Sequence, residues 1–168
     1  MEIKERTIHT NRKKLGFTTK QSSEMIAPLK IALANYQMFY HKLRNFHWNV
    51  DGSDFFELHA EFENDYTELF KQIDILAERI RVFDVKPMLS LELINEMSEI
   101  EDIKDELSSR DMVDTVIKDF NVLHNKLLDA LDVALSIGDN VSEQMITDLM
   151  RYMEKRNWMY SAWINAKA

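Results

Sequence analysis

Two histidines and three acidic residues stand at helical spacing within one stretch of the chain. His59 and Glu63 are four residues apart. Asp74 and Glu78 repeat this spacing, so the two members of each pair project from one face of a helix. His47 precedes them across a short loop as a third kind of candidate ligand. Because imidazole and carboxylate together suit Fe, Mn or Zn better than Ca or Mg, these five residues predict a transition-metal site.

The helix that carries both pairs is predicted from about residue 54 to residue 82. Asp51, Gly52 and Ser53 interrupt the preceding helix, and Asp54 with Glu57 forms a capping-box pattern. A helical stripe of apolar residues then predicts the buried face: Phe55, Leu58, Phe62, Tyr66, Leu69, Ile73, Leu76 and Ile80.

The two ligand pairs lie too far apart on this helix to bind the same metal ion within one chain. The His59/Glu63 and Asp74/Glu78 pairs are centred 15 residues apart, or roughly 22 Å at the rise of an α-helix. Two copies packed antiparallel about a twofold axis near Glu68 would bring each first pair opposite the partner's second pair. Twofold contacts of this kind are the commonest oligomer interface, so we expect two equivalent sites per dimer.

Three further long helices complete the predicted fold. The first has a buried stripe from Leu29 to His47, with Pro28 placed in its first turn. Pro87 marks a stop after the second helix. The remaining helices are a short one at 89–97, a long one at 111–136 that ends at Gly138, and a last one at 142–165. This order predicts an all-α, ferritin-like four-helix bundle with a short extra helix in the long connection between the second and third helices.

Composition supports one soluble helical domain behind a basic arm. The 168 residues include 3 Gly and 2 Pro, and the absence of Cys excludes disulfides and thiolate metal ligands. The formal net charge is -8, yet residues 1–20 hold six basic and two acidic residues, so this segment carries +4 and the rest -12. We therefore divide the chain into a basic arm at 1–21 and a bundle at 22–168. No signal peptide or membrane span is apparent, so we expect a cytoplasmic location, which includes association with the nucleoid.

The other histidines are interpreted as ordinary surface or core residues: His9, His41 and His124. None of the five histidines follows a glutamate by three residues, and this disfavours a di-iron centre built from Glu-x-x-His motifs within one bundle.

The motifs around the candidate site resemble those of the Dps family, the DNA-protecting mini-ferritins of starved bacteria. The resemblance is strong from about residue 33 to residue 80, and it extends to two pairs in the last helix. Its signature residues are Phe46-His47-Trp48-Asn49-Val50, Gly52, Phe55-Phe56, Leu58-His59, Asp74, Ala77-Glu78-Arg79-Ile80, Glu154-Lys155 and Trp158-Met159.

This resemblance implies a hollow homo-dodecamer that oxidises Fe(II), preferably with hydrogen peroxide, and stores ferric mineral inside, limiting oxidative damage. On the family pattern one subunit supplies His47, His59 and Glu63, and its twofold mate supplies Asp74 and Glu78. Iron is the implied metal, and Zn or Mn could substitute. Trp48 would lie beside the site, and Glu63 stands where the family often has Asp.

The resemblance also places acids around a threefold pore near the start of the last helix, where Asp139 and Asp148 match loosely. A second hypothesis makes the protein a nucleoid-associated DNA-binding protein with little ferroxidase activity. Because the body is acidic, DNA binding through the arm is expected to be weak. A third, a helical-bundle carboxylate oxidase, is weakened by the missing Glu-x-x-His motifs.

Overall fold

Four long helices and one short helix make up the described part of the chain. The computed structural model describes residues 16–87 and 90–166, so most of the predicted basic arm lies outside the described residues. The helices are α1 (Thr19–Asn49), α2 (Phe55–Val82), α3 (Leu91–Met97), α4 (Ser109–Ile137) and α5 (Asn140–Ala166). The predicted all-α four-helix bundle with a short helix between the second and third long helices is confirmed.

Helix α1 begins earlier than expected. The Thr18 hydroxyl accepts a hydrogen bond from the Gln21 amide, and the Gln21 side chain bonds back to the Thr18 amide, which is a complete capping box. The prediction that Pro28 lies in the first turn is therefore wrong, since it stands inside the helix. The buried side chain of Met25 anchors the additional turns to the core.

The turn between α1 and α2 is a single 3-10 turn over Gly52–Asp54. Gly52 has a φ of +81°, which glycine adopts without a steric penalty. The predicted capping box at Asp54 is wrong, because its carboxylate makes no cap bond and instead accepts a hydrogen bond from the Ser109 hydroxyl of α4 at 3.1 Å.

The buried face of α2 also differs from the predicted stripe. Phe55, Tyr66 and Ile73 are half-buried, whereas Asp65 and Gln72, which the stripe did not include, are buried. Asp65 can be buried because an arginine and two tyrosines of α5 bind its carboxylate. The face of α2 that packs into the bundle is thus partly polar.

A buried asparagine holds the connection between α3 and α4 against α1. The Asn35 side-chain oxygen accepts hydrogen bonds from the amides of Glu99 at 2.9 Å and Ile100 at 3.1 Å. Ser108 caps α4, and Gly138 ends it in the left-handed conformation with a φ of +71°, as predicted. These contacts set the crossover path that a bundle of this topology requires.

The long helices share one apolar core. Helix α1 packs against α2 and α4, and α4 packs against α5. Aromatic rings meet at the centre, with Phe39 and Phe120 edge to face at 5.1 Å between ring centroids. None of the helices within residues 16–87 and 90–166 is both long and apolar enough to span a membrane.

Candidate metal centre

The end of α1 and the start of α2 bring three predicted ligands together. His47 lies in the last turn of α1, and His59 and Glu63 lie in the first turns of α2. Ligand atoms from the three side chains all lie within 4.8 Å of one another. His47 is buried, His59 is half-buried and Glu63 is exposed, so the cluster opens to the surface of the chain.

Each histidine ring is held by the backbone of the other histidine. His47 Nδ1 lies 2.8 Å from the carbonyl oxygen of His59, and His59 Nδ1 lies 2.8 Å from the carbonyl oxygen of His47. A carbonyl oxygen can only accept, so each Nδ1 must carry the proton and donate it. Each neutral ring then keeps the Nε2 lone pair free for a metal, the arrangement usual for ligating histidines.

The tight turn between α1 and α2 makes these two reciprocal hydrogen bonds possible. The carbonyl of His47 belongs to the last turn of α1, where backbone oxygens have no partner within the helix. His59 supplies the missing donor after the chain has reversed through Gly52–Asp54. The pair of bonds therefore closes the turn and orients both rings at once.

Aromatic neighbours restrict the imidazoles further. The two rings stack with centroids 3.8 Å apart, and Phe55 stacks on the outer face of His59 at 4.8 Å. Tyr66 meets His47 edge to face at 5.3 Å. Rings packed on several sides lose rotational freedom, so the ligand nitrogens are oriented before a metal arrives.

Tyr66 also approaches the acidic ligand. Its hydroxyl lies 3.5 Å from Glu63 Oε1. Burial and the neighbouring charge of Glu63 raise the pKa of Tyr66, so its phenol keeps its proton and remains a donor toward the carboxylate. Neither Phe55 nor Tyr66 was predicted as part of the site. Their positions four residues from His59 and three from Glu63 were the available signal.

Asp74 and Glu78 do not join this cluster within one chain. Both are exposed on the later part of α2, roughly 22 Å along the helix from the histidine end. Within the described residues, the three-ligand group of α1 and α2 is the one group of three or more such side chains. The second acidic pair therefore reaches a histidine cluster through another copy of the chain, or takes no part.

The exposed face of α2 suits such a second copy. The point halfway between His59 and Glu78 coincides with the point halfway between Glu63 and Asp74, between residues 68 and 69. A twofold axis there would place His59 opposite Glu78, and Glu63 opposite Asp74, of the second copy. Phe70 lies next to this point and is 64% exposed, an apolar side chain that a single chain leaves uncovered.

Other predicted residues fall elsewhere. Trp48 lies beside the site in sequence, is exposed, and carries the Arg44 guanidinium over its ring at 4.7 Å. His41 is exposed, and His124 pairs with Glu154, whereas His9 lies outside the described residues. Asp139 is not available to line a pore.

The structure buries Asp139 and binds it to Arg79 at 2.5 Å. Its Oδ1 also accepts the Ser142 amide, so the carboxylate caps α5. Asp148 is exposed and bonded to Gln144 and Arg151, so of the two predicted pore acids it alone faces solvent in the described structure.

Comparison with known proteins agrees with this architecture. Residues 26–167 match the family model described as a ferritin-like domain. General stress protein 20U of Bacillus subtilis is 34% identical over 85% of this chain and 99% of its own length. A DNA protection during starvation protein of Brevibacillus brevis is 38% identical over 79% of this chain and 89% of its own length.

A solved structure gives the same result in three dimensions. The Dps protein of Vibrio cholerae O1 superposes with a TM-score of 0.86 and 37% identity, covering 89% of this chain and 94% of that one. That protein is described as a member of a broad superfamily of ferritin-like diiron-carboxylate proteins. With the family model and relatives of this similarity, the chain belongs to the Dps family of ferritin-like proteins.

Proposed function

We propose that this protein is an iron-binding mini-ferritin that oxidises Fe(II) at sites shared between two subunits and stores the ferric product inside a homo-oligomer. The observation that carries the proposal is the cluster of His47, His59 and Glu63, with both imidazole Nε2 atoms left free by backbone bonds. The membership of the Vibrio relative in a diiron-carboxylate superfamily supports iron as the metal.

The donor set fits iron as substrate. Neutral imidazoles bind Fe(II) without adding charge, and the hard, anionic carboxylates favour Fe(III), so the set promotes loss of an electron. Because the site has only a small number of protein ligands, some coordination positions on the metal stay open to an oxidant. Zn(II) or Mn(II) would compete for the same donors, because affinity at such sites does not by itself distinguish first-row metals.

A second chain completes each site in this proposal. The exposed Asp74 and Glu78 of one subunit face the His59 and Glu63 of its twofold mate, and Phe70 is covered in the same contact. The homo-oligomer is thus a condition for activity. Assembly as a hollow dodecamer, which the family resemblance implies, would enclose the mineral.

Hydrogen peroxide is the proposed oxidant. Two Fe(II) ions, one peroxide molecule and two protons give two Fe(III) ions and two water molecules. Peroxide and free Fe(II) are consumed together in this reaction, so less of each remains to form hydroxyl radical. The protein would therefore act as a ferroxidase that protects the cell against oxidative damage.

Mixing two inactive variants tests the shared site directly. His59→Ala and Asp74→Ala should each lose rapid Fe(II) oxidation by peroxide, measured by the absorbance of the ferric product. Co-refolded mixtures should regain part of the activity. In them, an intact His59/Glu63 face from an Asp74→Ala chain meets an intact Asp74/Glu78 face from a His59→Ala chain.

The matched control is His41→Ala, an exposed histidine on α1 that the proposal leaves outside the site. It should oxidise Fe(II) at the wild-type rate. Mixed assembly is verified by mass spectrometry. Mixtures as inactive as both parents would refute the intersubunit site, whereas full activity of either single variant would remove that residue from the site.

Binding of DNA through the basic arm is a second candidate function, favoured by the net charge of +4 in residues 1–20. The Brevibacillus relative carries the name DNA protection during starvation protein. Binding through contacts of lysine and arginine with phosphate does not depend on the DNA sequence, and its affinity falls as the salt concentration rises. This salt dependence distinguishes DNA binding from iron oxidation.

A further inference from the structure

A groove lies between α4 and α5, on helices that contribute nothing to the His47 cluster. Its volume is about 220 Å³. Three side chains from each helix line it: Phe120, Asn121, His124, Met153, Glu154 and Asn157. Among these, Glu154 belongs to a family-like motif of the last helix that the proposed iron site does not use.

The lining of the groove includes a histidine and a carboxylate within hydrogen-bond distance of each other. His124 Nε2 lies 3.2 Å from Glu154 Oε1. Two atoms that bind one zinc ion at about 2.1 Å each, with angles of about 90–110° at the metal, lie roughly 3.0–3.4 Å apart. The two ligand atoms therefore need little movement to bind a common ion.

A second observation concerns Asn157, which also lines the groove. The side-chain oxygen of Asn157 is buried and has no hydrogen-bond donor in the described part of the chain. An acceptor in this situation is costly unless a cation or a bound donor satisfies it. Asn157 follows Glu154 by three residues on α5, so both side chains lie on the same side of that helix.

The apolar walls of the groove favour binding of a cation by the carboxylate. Phe120 and Met153 are buried, with exposed fractions of 2% and 3%, and form apolar walls. Apolar surroundings strengthen the attraction between a carboxylate and a cation. Asn121 lies beside them and donates its amide to the Ile117 carbonyl, which leaves its side-chain oxygen as a further acceptor.

From these contacts we propose that the groove between α4 and α5 is a second metal site. It binds one divalent first-row transition ion through His124 Nε2, a Glu154 carboxylate oxygen and the Asn157 side-chain oxygen. A nitrogen ligand with two oxygen ligands suits Zn(II), Mn(II) or Fe(II) better than Ca(II) or Mg(II). This site is separate from the proposed ferroxidase site and does not depend on it.

Zinc counting in a background that weakens the first site tests the proposal. The assembled His59→Ala protein and its His59→Ala/His124→Ala double variant are dialysed against the same free Zn(II) concentration, and bound zinc is measured by elemental analysis. The double variant should hold about one zinc fewer per chain. The matched control, His59→Ala/His41→Ala, removes an exposed histidine and should hold as much zinc as His59→Ala.

A gain-of-affinity variant gives a readout that a purely structural role would not move. Asn157→Asp places a carboxylate where the neutral amide oxygen lies, so zinc affinity in the His59→Ala background should rise about tenfold or more, since affinity follows ligand charge. Its melting temperature should fall without zinc and recover when zinc is added, because the ion binds the folded state.

Two results would overturn the site. Equal zinc content in the His59→Ala protein and its His124→Ala double variant would show that the His124–Glu154 pair is a surface ion pair. An unchanged zinc affinity in the Asn157→Asp variant would show that the buried oxygen contacts water and not a metal ion.

Discussion

At the scale of single residues, the buried ion pair behind the site has the largest predicted effect on stability. Asp65 of α2 accepts hydrogen bonds from Arg156 Nη2 at 2.9 Å and from the hydroxyls of Tyr160 at 2.6 Å and Tyr152 at 2.7 Å. Burial raises the pKa of Asp65, and these donors oppose that shift by stabilising the charged form. Asp65 lies two residues after the candidate ligand Glu63, so the Asp65–Arg156 ion pair also holds this part of α2 against α5.

Replacement of the arginine should therefore be severe. Arg156→Met leaves the carboxylate of Asp65 buried without its cation, and we expect a loss of about 3–5 kcal/mol in the free energy of unfolding. Chemical denaturation at fixed protein concentration measures it. Arg151→Ala on the same helix is the control, since Arg151 pairs with Asp148 at the surface and its loss should barely move the midpoint. Equal effects of the two variants would contradict the assignment.

The residue pattern predicted part of this arrangement. Helical spacing paired His59 with Glu63, and the resemblance to the Dps family placed His47 with them in one subunit. Neither could predict the exchange of Nδ1 bonds, which depends on the path of the Gly52–Asp54 turn. Asp65 was missed because a charged residue within an apolar stripe looks exposed until its partners on α5 are known.

At the scale of helices, the turn between α4 and α5 combines two devices. Gly138 ends α4 with a positive φ, and the next residue, Asp139, caps α5 through the Ser142 amide and binds Arg79 of α2. Burial works against ionisation of Asp139, but the hydrogen bonds from Ser142 and Arg79 outweigh it and lower its pKa. The turn thus joins three helices through one carboxylate.

This lowered pKa makes a prediction about stability and pH. A carboxylate whose pKa is lower in the folded state stabilises the fold above its unfolded pKa, and this contribution is lost as the pH falls through the folded value. Asp139→Asn should therefore cost about 1–3 kcal/mol at neutral pH. The difference from wild type should shrink below about pH 4.

Thermal melts followed by circular dichroism between pH 7 and pH 3 measure this difference. Asp148→Asn is the control. Hydrogen bonds from Gln144 and Arg151 also lower the pKa of Asp148, but these bonds are solvent-exposed and lie within α5, so their loss should change stability little. A gap between wild type and Asp139→Asn that stays constant down to pH 3 would contradict the assigned role.

Helix positions were predictable to within a few residues at most ends, because capping residues and Gly138 mark them locally. The start of α1 was the main error. Pro28 suggested a first turn, yet the Thr18-to-Gln21 capping pattern was already visible ten residues earlier. The apolar contacts of Met25 decide the matter, and such tertiary contacts can override the disfavoured position of a proline.

At the scale of the whole molecule, the proposed shared site requires assembly. Twelve chains of 19.9 kDa would give a particle of about 240 kDa. Light scattering coupled to size-exclusion chromatography measures this mass. We expect the assembly to persist at micromolar concentration, because each of two paired copies would cover the exposed Phe70 of the other. A monomer under these conditions would rule out the shared site, whereas a dimer would support the site and contradict only the dodecamer.

The distribution of charge over the whole molecule predicts weak, salt-sensitive binding to DNA. Residues 1–20 carry +4, and the remainder carries -12, so the arm attracts phosphate while the body repels it. Deletion of residues 1–15, which leaves Phe17 and the Thr18 capping box of α1 in place, should abolish gel retardation of duplex DNA at low salt and leave Fe(II) oxidation by peroxide unchanged. Retardation by the intact protein should disappear as salt rises toward physiological strength. Each phosphate contact releases counterions from the DNA, so the affinity falls more steeply with salt as the number of contacts increases.

An arm of zero net charge separates the effect of charge from simple loss of a segment. Lys13→Glu/Lys14→Glu keeps the length of the arm and changes its net charge from +4 to 0, so retardation at low salt should be lost as in the deletion. The matched control, Lys118→Glu/Lys155→Glu, makes the same change in charge on exposed positions of α4 and α5 and should reduce binding much less. Equal losses from the two double variants would show that total charge governs binding. Retention of DNA binding after either arm change would place the DNA contact on the bundle.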